Sequence, residues 1–308
     1  MGGGSITYTF YQNQSLLREK PQPMNYYLQM LQAVRTLFGS LSSPGFLSSR
    51  PRFPFVPVFL PPVSGFLVLM ALAPAAFGQQ TSSQSADLKG LKSLTATIRI
   101  SAGTLKLTAG DAPAAESKFT YSRAAWKPRV TFSREGGQGR LAIEQPEEEN
   151  MNMKDKERND WEIRLSRAVP TDLTLRMGAG EGTVDLHGAK VRRLEMKAGA
   201  GAFKVNLANT SVADLEVDAG VGELTIDLTG DRTVNLRAVI NGGIGNLNVM
   251  VPRKTGVRLK ISGLGRFDSP GFRKQGDYYV NDAYGKNPNT IDLNVSGGLG
   301  DLKLSLKD

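Results

Sequence analysis

Between Met177 and Leu306 one short phrase recurs six times, a glycine, an aliphatic residue and a second glycine running into an alternating strand: Gly178-Ala179-Gly180, Gly199-Ala200-Gly201, Gly220-Val221-Gly222, Gly243-Ile244-Gly245, Gly263-Leu264-Gly265 and Gly298-Leu299-Gly300. The first glycines step by 21, 21, 23, 20 and 35 residues. A repeat of this length constrains the chain to a stacked, quasi-one-dimensional β architecture. The expected fold is all-β, a single-stranded β-solenoid of about six to seven coils with an N-terminal β cap region.

The alternation inside each repeat carries a second message. Leu194, Met196, Ala198 and Ala200 alternate with Glu195, Lys197 and Gly199, and after Gly201 the apolar positions become Phe203, Val205 and Leu207. The next copy slips the same way, from Leu215, Val217, Ala219 and Val221 to Leu224, Ile226 and Leu228. One extra residue at each Gly-x-Gly resets which face is buried, as a bulge or tight corner does. Glycine suits that place because it accepts positive φ and lets neighbouring coils approach closely. The twelve repeat glycines are therefore read as structural.

Stacking also predicts ladders of equivalent side chains about 4.8 Å apart. After the second glycine the row reads Glu181, Ala202, Glu223, Asn246, Arg266, Asp301, and further along Asp185, Asn206, Asp227. Carboxylates alternate with uncharged residues, which spares them direct contact and accounts for them without catalysis.

The same grammar appears once more upstream, where Leu94, Ala96, Ile98, Ile100 and Ala102 give way after Gly103 to Leu105 and Leu107, with Ser101 in the place of the first glycine. This is read as an N-terminal coil or cap. Phe119 to Tyr121, Arg129 to Phe132, Arg140 to Ile143 and Trp161 to Leu165 read as short strands, and Glu147 to Asp160 as a solvated charged loop. No stretch after residue 78 has a helical period. The expected division is a leader over 1–78, a β cap region over 79–168, and repeats over 169–308 with an insertion at 267–288.

The chain has no cysteine, which excludes disulfides, thiolate metal sites, a cysteine nucleophile and a lipidated cysteine. Compartment must be read from the N-terminus. Arg50 and Arg52 precede an apolar centre over about 65–77, which ends at Ala76-Phe77-Gly78 before a polar run. This fits a secretory signal cleaved before Gln79 and an extracytoplasmic protein. An uncleaved anchor is the alternative, against which Pro54, Pro57, Pro61 and Pro62 break the first half of the uncharged stretch. Residues 1 to about 50 are read as a leader whose start is assigned too far upstream. Beyond residue 78 the chain carries 33 basic and 28 acidic residues, a net charge of only about +5 with no concentrated basic face, so nucleic-acid binding is not expected.

Trp161-Glu-Ile-Arg-Leu165 followed by Val169-Pro170-Thr-Asp-Leu173, the serial Gly-x-Gly coils, and the ending Asn289-Thr-Ile-Asp-Leu-Asn-Val-Ser-Gly-Gly-Leu-Gly300 carry a family likeness. Over about residues 90–306 the chain resembles the toast-rack domain at the C-terminal end of LiaF-like cell-envelope stress proteins and of related secreted bacterial proteins. The resemblance implies a toast-rack solenoid and a place in the cell envelope. In LiaF-like proteins the domain is associated with restraining envelope-stress signalling. No catalytic residue is carried over.

Sharper chemistry is tested by the residues themselves. Gly242-Gly-Ile-Gly-Asn246 and Gly297-Gly-Leu-Gly-Asp301 are similar to the glycine-rich calcium nonapeptide, but Leu247 and Leu302 hold the ligating place. Gly178-Ala-Gly-Glu-Gly182 is followed by a strand, not the helix that a dinucleotide fingerprint needs. Asp185 and Asp227 lie two coils apart, about 10 Å, near the upper limit for an inverting carboxylate pair. His187, the single histidine, adjoins Gly188 in an expected turn, and no Gly-x-Ser-x-Gly elbow occurs. No metal or cofactor is expected.

The insertion concentrates aromatics and cations, and the candidate binding residues are Phe272, Arg273, Lys274, Tyr278, Tyr279 and Tyr284. The structural reading of the same segment is a hydrophobic plug over the end of the solenoid. The expected function is non-enzymatic contact with another envelope protein. A carbohydrate-binding or carbohydrate-cleaving module, with cell-wall glycan as ligand, is the alternative. Membrane contact is expected only through an uncleaved N-terminal segment.

Overall fold

The computed structural model describes residues 78–146, 153–154 and 156–308. The leader reading, Gly78 apart, lies outside the described residues. Sixteen strands follow one another: β1 (Gln80–Asp87), β2 (Ser93–Gly110), β3 (Ala114–Tyr121), β4 (Arg129–Glu135), β5 (Gln138–Glu144), β6 (Asn159–Ser166), β7 (Thr171–Asp185), β8 (Val191–Asn206), β9 (Asp214–Asp227), β10 (Leu236–Pro252), β11 (Gly256–Gly263), β12 (Arg266–Asp268), β13 (Phe272–Gln275), β14 (Tyr278–Asn281), β15 (Thr290–Leu299) and β16 (Asp301–Lys307). One 3-10 turn, Ala124–Trp126, is the helical element among the described residues, and no helix there is long and apolar enough to cross a membrane.

The long strands pair in parallel and in register through their glycines, Gly103 with Gly180, Gly180 with Gly201, Gly201 with Gly222 and Gly222 with Gly245. Each strand folds back on itself at that point. Residues five apart in a straight strand are about 16 Å apart. Yet a Cβ built on Gly242 would lie 3.5 Å from Leu247, one on Gly297 3.7 Å from Leu302, and one on Gly182 3.4 Å from the Met177 sulfur. Each strand thus has a first arm, a bend and a second arm, with the core held between the arms.

Burial follows the slip in alternation. In β7 the odd positions Thr171 to Ala179 are buried, then Gly180, Gly182 and Val184. First arms stack in the order β4, β5, β2, β7, β8, β9, β10, β15, β11, β14, β13, and second arms in the order β1, β3, β6, β2, β7, β8, β9, β10, β16, β12. The sheet is an open path, not a closed barrel.

One feature of this order departs from the sequence ladder. The last repeat, β15 and β16, sits between β10 and the β11–β12 repeat that precedes it in the chain. Asp301 pairs with Arg266, and Leu302 with Leu247, so the row reads Asn246, Asp301, Arg266. A second departure is at the charged loop: Met153 is buried, and Asn159 and Asp160 begin β6.

The outer face of the first arms carries a charge ladder. Asp172, Arg193, Asp214, Arg237, Asp292 and Arg258 are successive cross-strand partners, alternating in sign over six strands. Arg193 reaches Asp214 at 3.6 Å and Arg258 reaches Asp292 at 2.6 Å. Arg193→Glu would set three carboxylates side by side. The expected cost is about 1 kcal/mol at low salt, shrinking in high salt, and thermal melts at two ionic strengths check it.

Candidate functional site

Residues 267–288 build the far end of the stack. Antiparallel strands β13 and β14 form a hairpin in which Lys274 lies opposite Tyr279 and Gln275 opposite Tyr278. The hairpin is seated by Asn281, which is buried. Its Oδ1 accepts from the Val257 backbone N–H at 2.9 Å, and its Nδ2 donates to the Thr255 carbonyl at 2.8 Å. Two cross-strand pairs, Arg258 with Val280 and Leu259 with Tyr279, join the hairpin to β11.

The six candidate residues divide by what they touch. Tyr279 packs edge to face on Phe267 with ring centroids 5.5 Å apart, and both lie against the core, as does Phe272. These apolar groups cover the end of the inter-arm layer. Tyr278 is half-buried beneath the Arg258 guanidinium, 4.8 Å from its ring centroid. The hydrogen bond from Arg258 to Asp292 holds the pKa of that guanidinium above its usual value, so the cation under which Tyr278 sits is fixed in place and charge. Tyr284 is half-buried in the turn that follows.

Arg273 and Lys274 differ. Both are exposed on the outermost strand, and neither has an ion-pair partner among the described residues. Charge on an edge strand hinders indiscriminate strand addition. It also leaves two unneutralised cations beside half-buried aromatic rings, a surface suited to a carboxylate-bearing partner.

The other acids are occupied locally. Asp185, Asn206 and Asp227 are successive partners, as the sequence ladder has it. Asp185 accepts from the Asn206 amide at 3.0 Å and the His187 backbone at 3.2 Å, and Asp227 accepts from the Thr229 backbone at 2.9 Å. The two bonds from backbone N–H groups form turns at the ends of the second arms, and the Asn206 amide bond joins neighbouring rungs. His187 is exposed in a turn. Among the described residues no group of three or more His, Cys, Asp or Glu is placed to hold a metal ion.

Two buried polar residues were not read from the sequence. Asn159 donates through Nδ2 to the Ala102 carbonyl at 2.6 Å and to Gln145 Oε1 at 3.0 Å, and accepts from Trp161 Nε1 at 2.9 Å. Arg232 is buried between β9 and β10, donating to the Val212 carbonyl, and burial pushes its pKa down to about 10. Asn159 ends a charged run and Arg232 follows Asp231 in a polar loop, so local composition gives no signal that either will be enclosed.

A family model described as the N-terminal domain of toast_rack, DUF2154, matches residues 76–214 and 199–250. Among solved structures, a candidate cell adhesion protein from Clostridium sporogenes is 26% identical, with a TM-score of 0.59, over 74% of this chain and 100% of that one. A candidate adhesin from Bacteroides fragilis is 10% identical, with a TM-score of 0.28, over 73% of this chain and 97% of that one. No curated protein matches the chain.

Proposed function

The chain belongs to the toast-rack family, and from that premise we propose a non-enzymatic, extracytoplasmic β-solenoid that works in the cell envelope by binding another envelope protein through its β13–β14 hairpin. The observation that carries the reading is the contrast in cations. On the first-arm face Arg193 and Arg258 are answered by carboxylates one strand away, whereas Arg273 and Lys274 on the hairpin are not. A rigid stack whose first arms carry a ladder of alternating charge, and which ends in a cationic, aromatic tip, is organised for contact at the tip. The likeness to the Clostridium sporogenes candidate cell adhesion protein, which spans that whole chain, supports the same class of activity. In this reading the five bent strands β2, β7, β8, β9 and β10, with the strand pairs β15–β16 and β11–β12, are seven solenoid coils. Residues 79–168 supply the cap region and the first coil, 169–308 the repeats, and 267–288 the binding insertion. An envelope-stress role for the partner belongs to the same proposal.

The test is a charge reversal, Arg273→Glu with Lys274→Glu, in crosslinked intact cells. Both side chains are solvent-facing, so the melting curve should not move. The expected result is loss of a specific protein partner that the parent captures. Retention of the same partner at the same yield would move the site off the hairpin.

A further inference from the structure

The hairpin does not cover the whole end of the stack. Strand β14 pairs with β11 at Arg258 and Leu259, and from Lys260 through β12 to Asp268 the outer edge has no strand against it among the described residues. That edge lacks proline. Leu264, at its bend, is 88% exposed, and Leu299 on the neighbouring rung is 59% exposed, whereas the equivalent Ala102, Ala179 and Ala200 are buried. An unpaired edge with a large apolar residue at its centre is a template for another strand.

The segment Lys260-Ile-Ser-Gly-Leu264-Gly-Arg-Phe-Asp268 is complementary to itself when read from both ends. If two copies pair antiparallel about Leu264, Lys260 of one faces Asp268 of the other, Ile261 faces Phe267, Gly263 faces Gly265, and the two Leu264 side chains meet. Neither Lys260 nor Asp268 has an ion-pair partner within the chain among the described residues. A two-fold axis through the bend exchanges first and second arms, so the apolar layer between the arms runs on from one copy into the next. Pairing begins at Lys260, the first residue past the Leu259–Tyr279 pair, and Leu259 then aligns with Ser269, beyond the end of the second copy's β12.

We propose that this end of the stack is a two-fold interface between two copies of the chain, joined edge to edge along Lys260–Asp268. An isologous contact requires a self-complementary patch, and the reversed-order match of charge, glycine and apolar residue about Leu264 supplies one. Closure by a second copy also hides the edge that the hairpin leaves open.

Light scattering on the full chain after size exclusion tests this. The parent is expected at twice 33.3 kDa. Lys260→Asp sets two aspartates against each other and is expected to fall to one chain mass, as is Asp268→Lys. The double variant Lys260→Asp with Asp268→Lys restores opposite signs and is expected to return to two. Circular dichroism melts on each variant separate loss of pairing from loss of folding, and Leu264→Ser gives a second, uncharged disruption. A parent that is monomeric at every loading concentration overturns the proposal. So does a dimer that survives the single reversals and Leu264→Ser, or one that the double variant fails to restore.

Discussion

Gly201→Ala is expected to lower stability by roughly 2–6 kcal/mol, enough to abolish folding in a protein of ordinary stability. Gly201 has φ 148°, where a side chain is strained, and a Cβ built on it would overlap the carbonyl oxygen of Gly180 on the adjoining strand. Neither partner can move. Gly201 is held in register between Gly180 and Gly222, and Cβ atoms built on Gly222 and Gly245 would strike the carbonyl oxygens of Gly201 and Gly222 in the same way. The cost is therefore that of displacing backbone across several rungs. Gly242→Ala is the control. Its φ is ordinary, and its Cβ would meet Leu247 at 3.5 Å, normal van der Waals contact, in an apolar cavity of about 40 Å³ lined by Phe203, Leu224 and Leu302. There the expected change is a gain of about 0.5–1 kcal/mol from a stiffer unfolded chain. Thermal and chemical denaturation followed by circular dichroism distinguishes the two. Equal losses at both glycines would mean that close strand approach is not what selects the residue.

Asn159→Ala is expected to cost roughly 2–5 kcal/mol, far more than the loss of one exposed amide. The side chain closes the bend of β2 in place of a further glycine rung, and the Asn159 carbonyl is what a Cβ on Gly103 would strike. Removing the amide leaves the buried Trp161 Nε1–H and the Ala102 carbonyl without their bonds, in a region where Phe119 packs edge to face on Trp161 at 5.2 Å. Unsatisfied groups of that kind cost their full desolvation. Equilibrium urea unfolding should show an unchanged slope and a lower midpoint, with Trp161 fluorescence reporting the loss of the local environment. A midpoint within error of the parent would mean that water replaces the amide without penalty.

Much of the scaffold was legible because two independent signals coincide at each bend. The spacing of the glycines matches the register in which they pair, and the slip in apolar alternation between Ala200 and Phe203 matches the switch in burial across Gly201. Rung order was not legible from spacing, since parallel rungs with the same pattern fit in more than one sequence. A charge argument would have found it. In chain order Arg237 would neighbour Arg258, like against like, whereas placing the last repeat between them brings in Asp292 and restores alternation. Asn159 was hidden for a different reason. It follows a run of acidic and basic residues, and local composition there says solvent, while its enclosure depends on Ala102 and Gln145, which are remote in sequence.

The hairpin was legible as a concentration of residue types but not in its division of labour. Phe272 and Tyr279 lie against the core while Arg273 and Lys274 are exposed, so one segment both covers the end of the stack and offers a charged tip. The two readings of the insertion need not compete.

The most direct test of a contact-based function is a photo-activated crosslinking residue placed singly at Lys274, on the hairpin, and at Lys204, exposed on the second-arm face of β8. Intact cells are irradiated and the adducts compared. The account predicts one discrete protein adduct from position 274 and none from 204. A discrete adduct from 204 with none from 274, or adducts of equal yield at both, would contradict it.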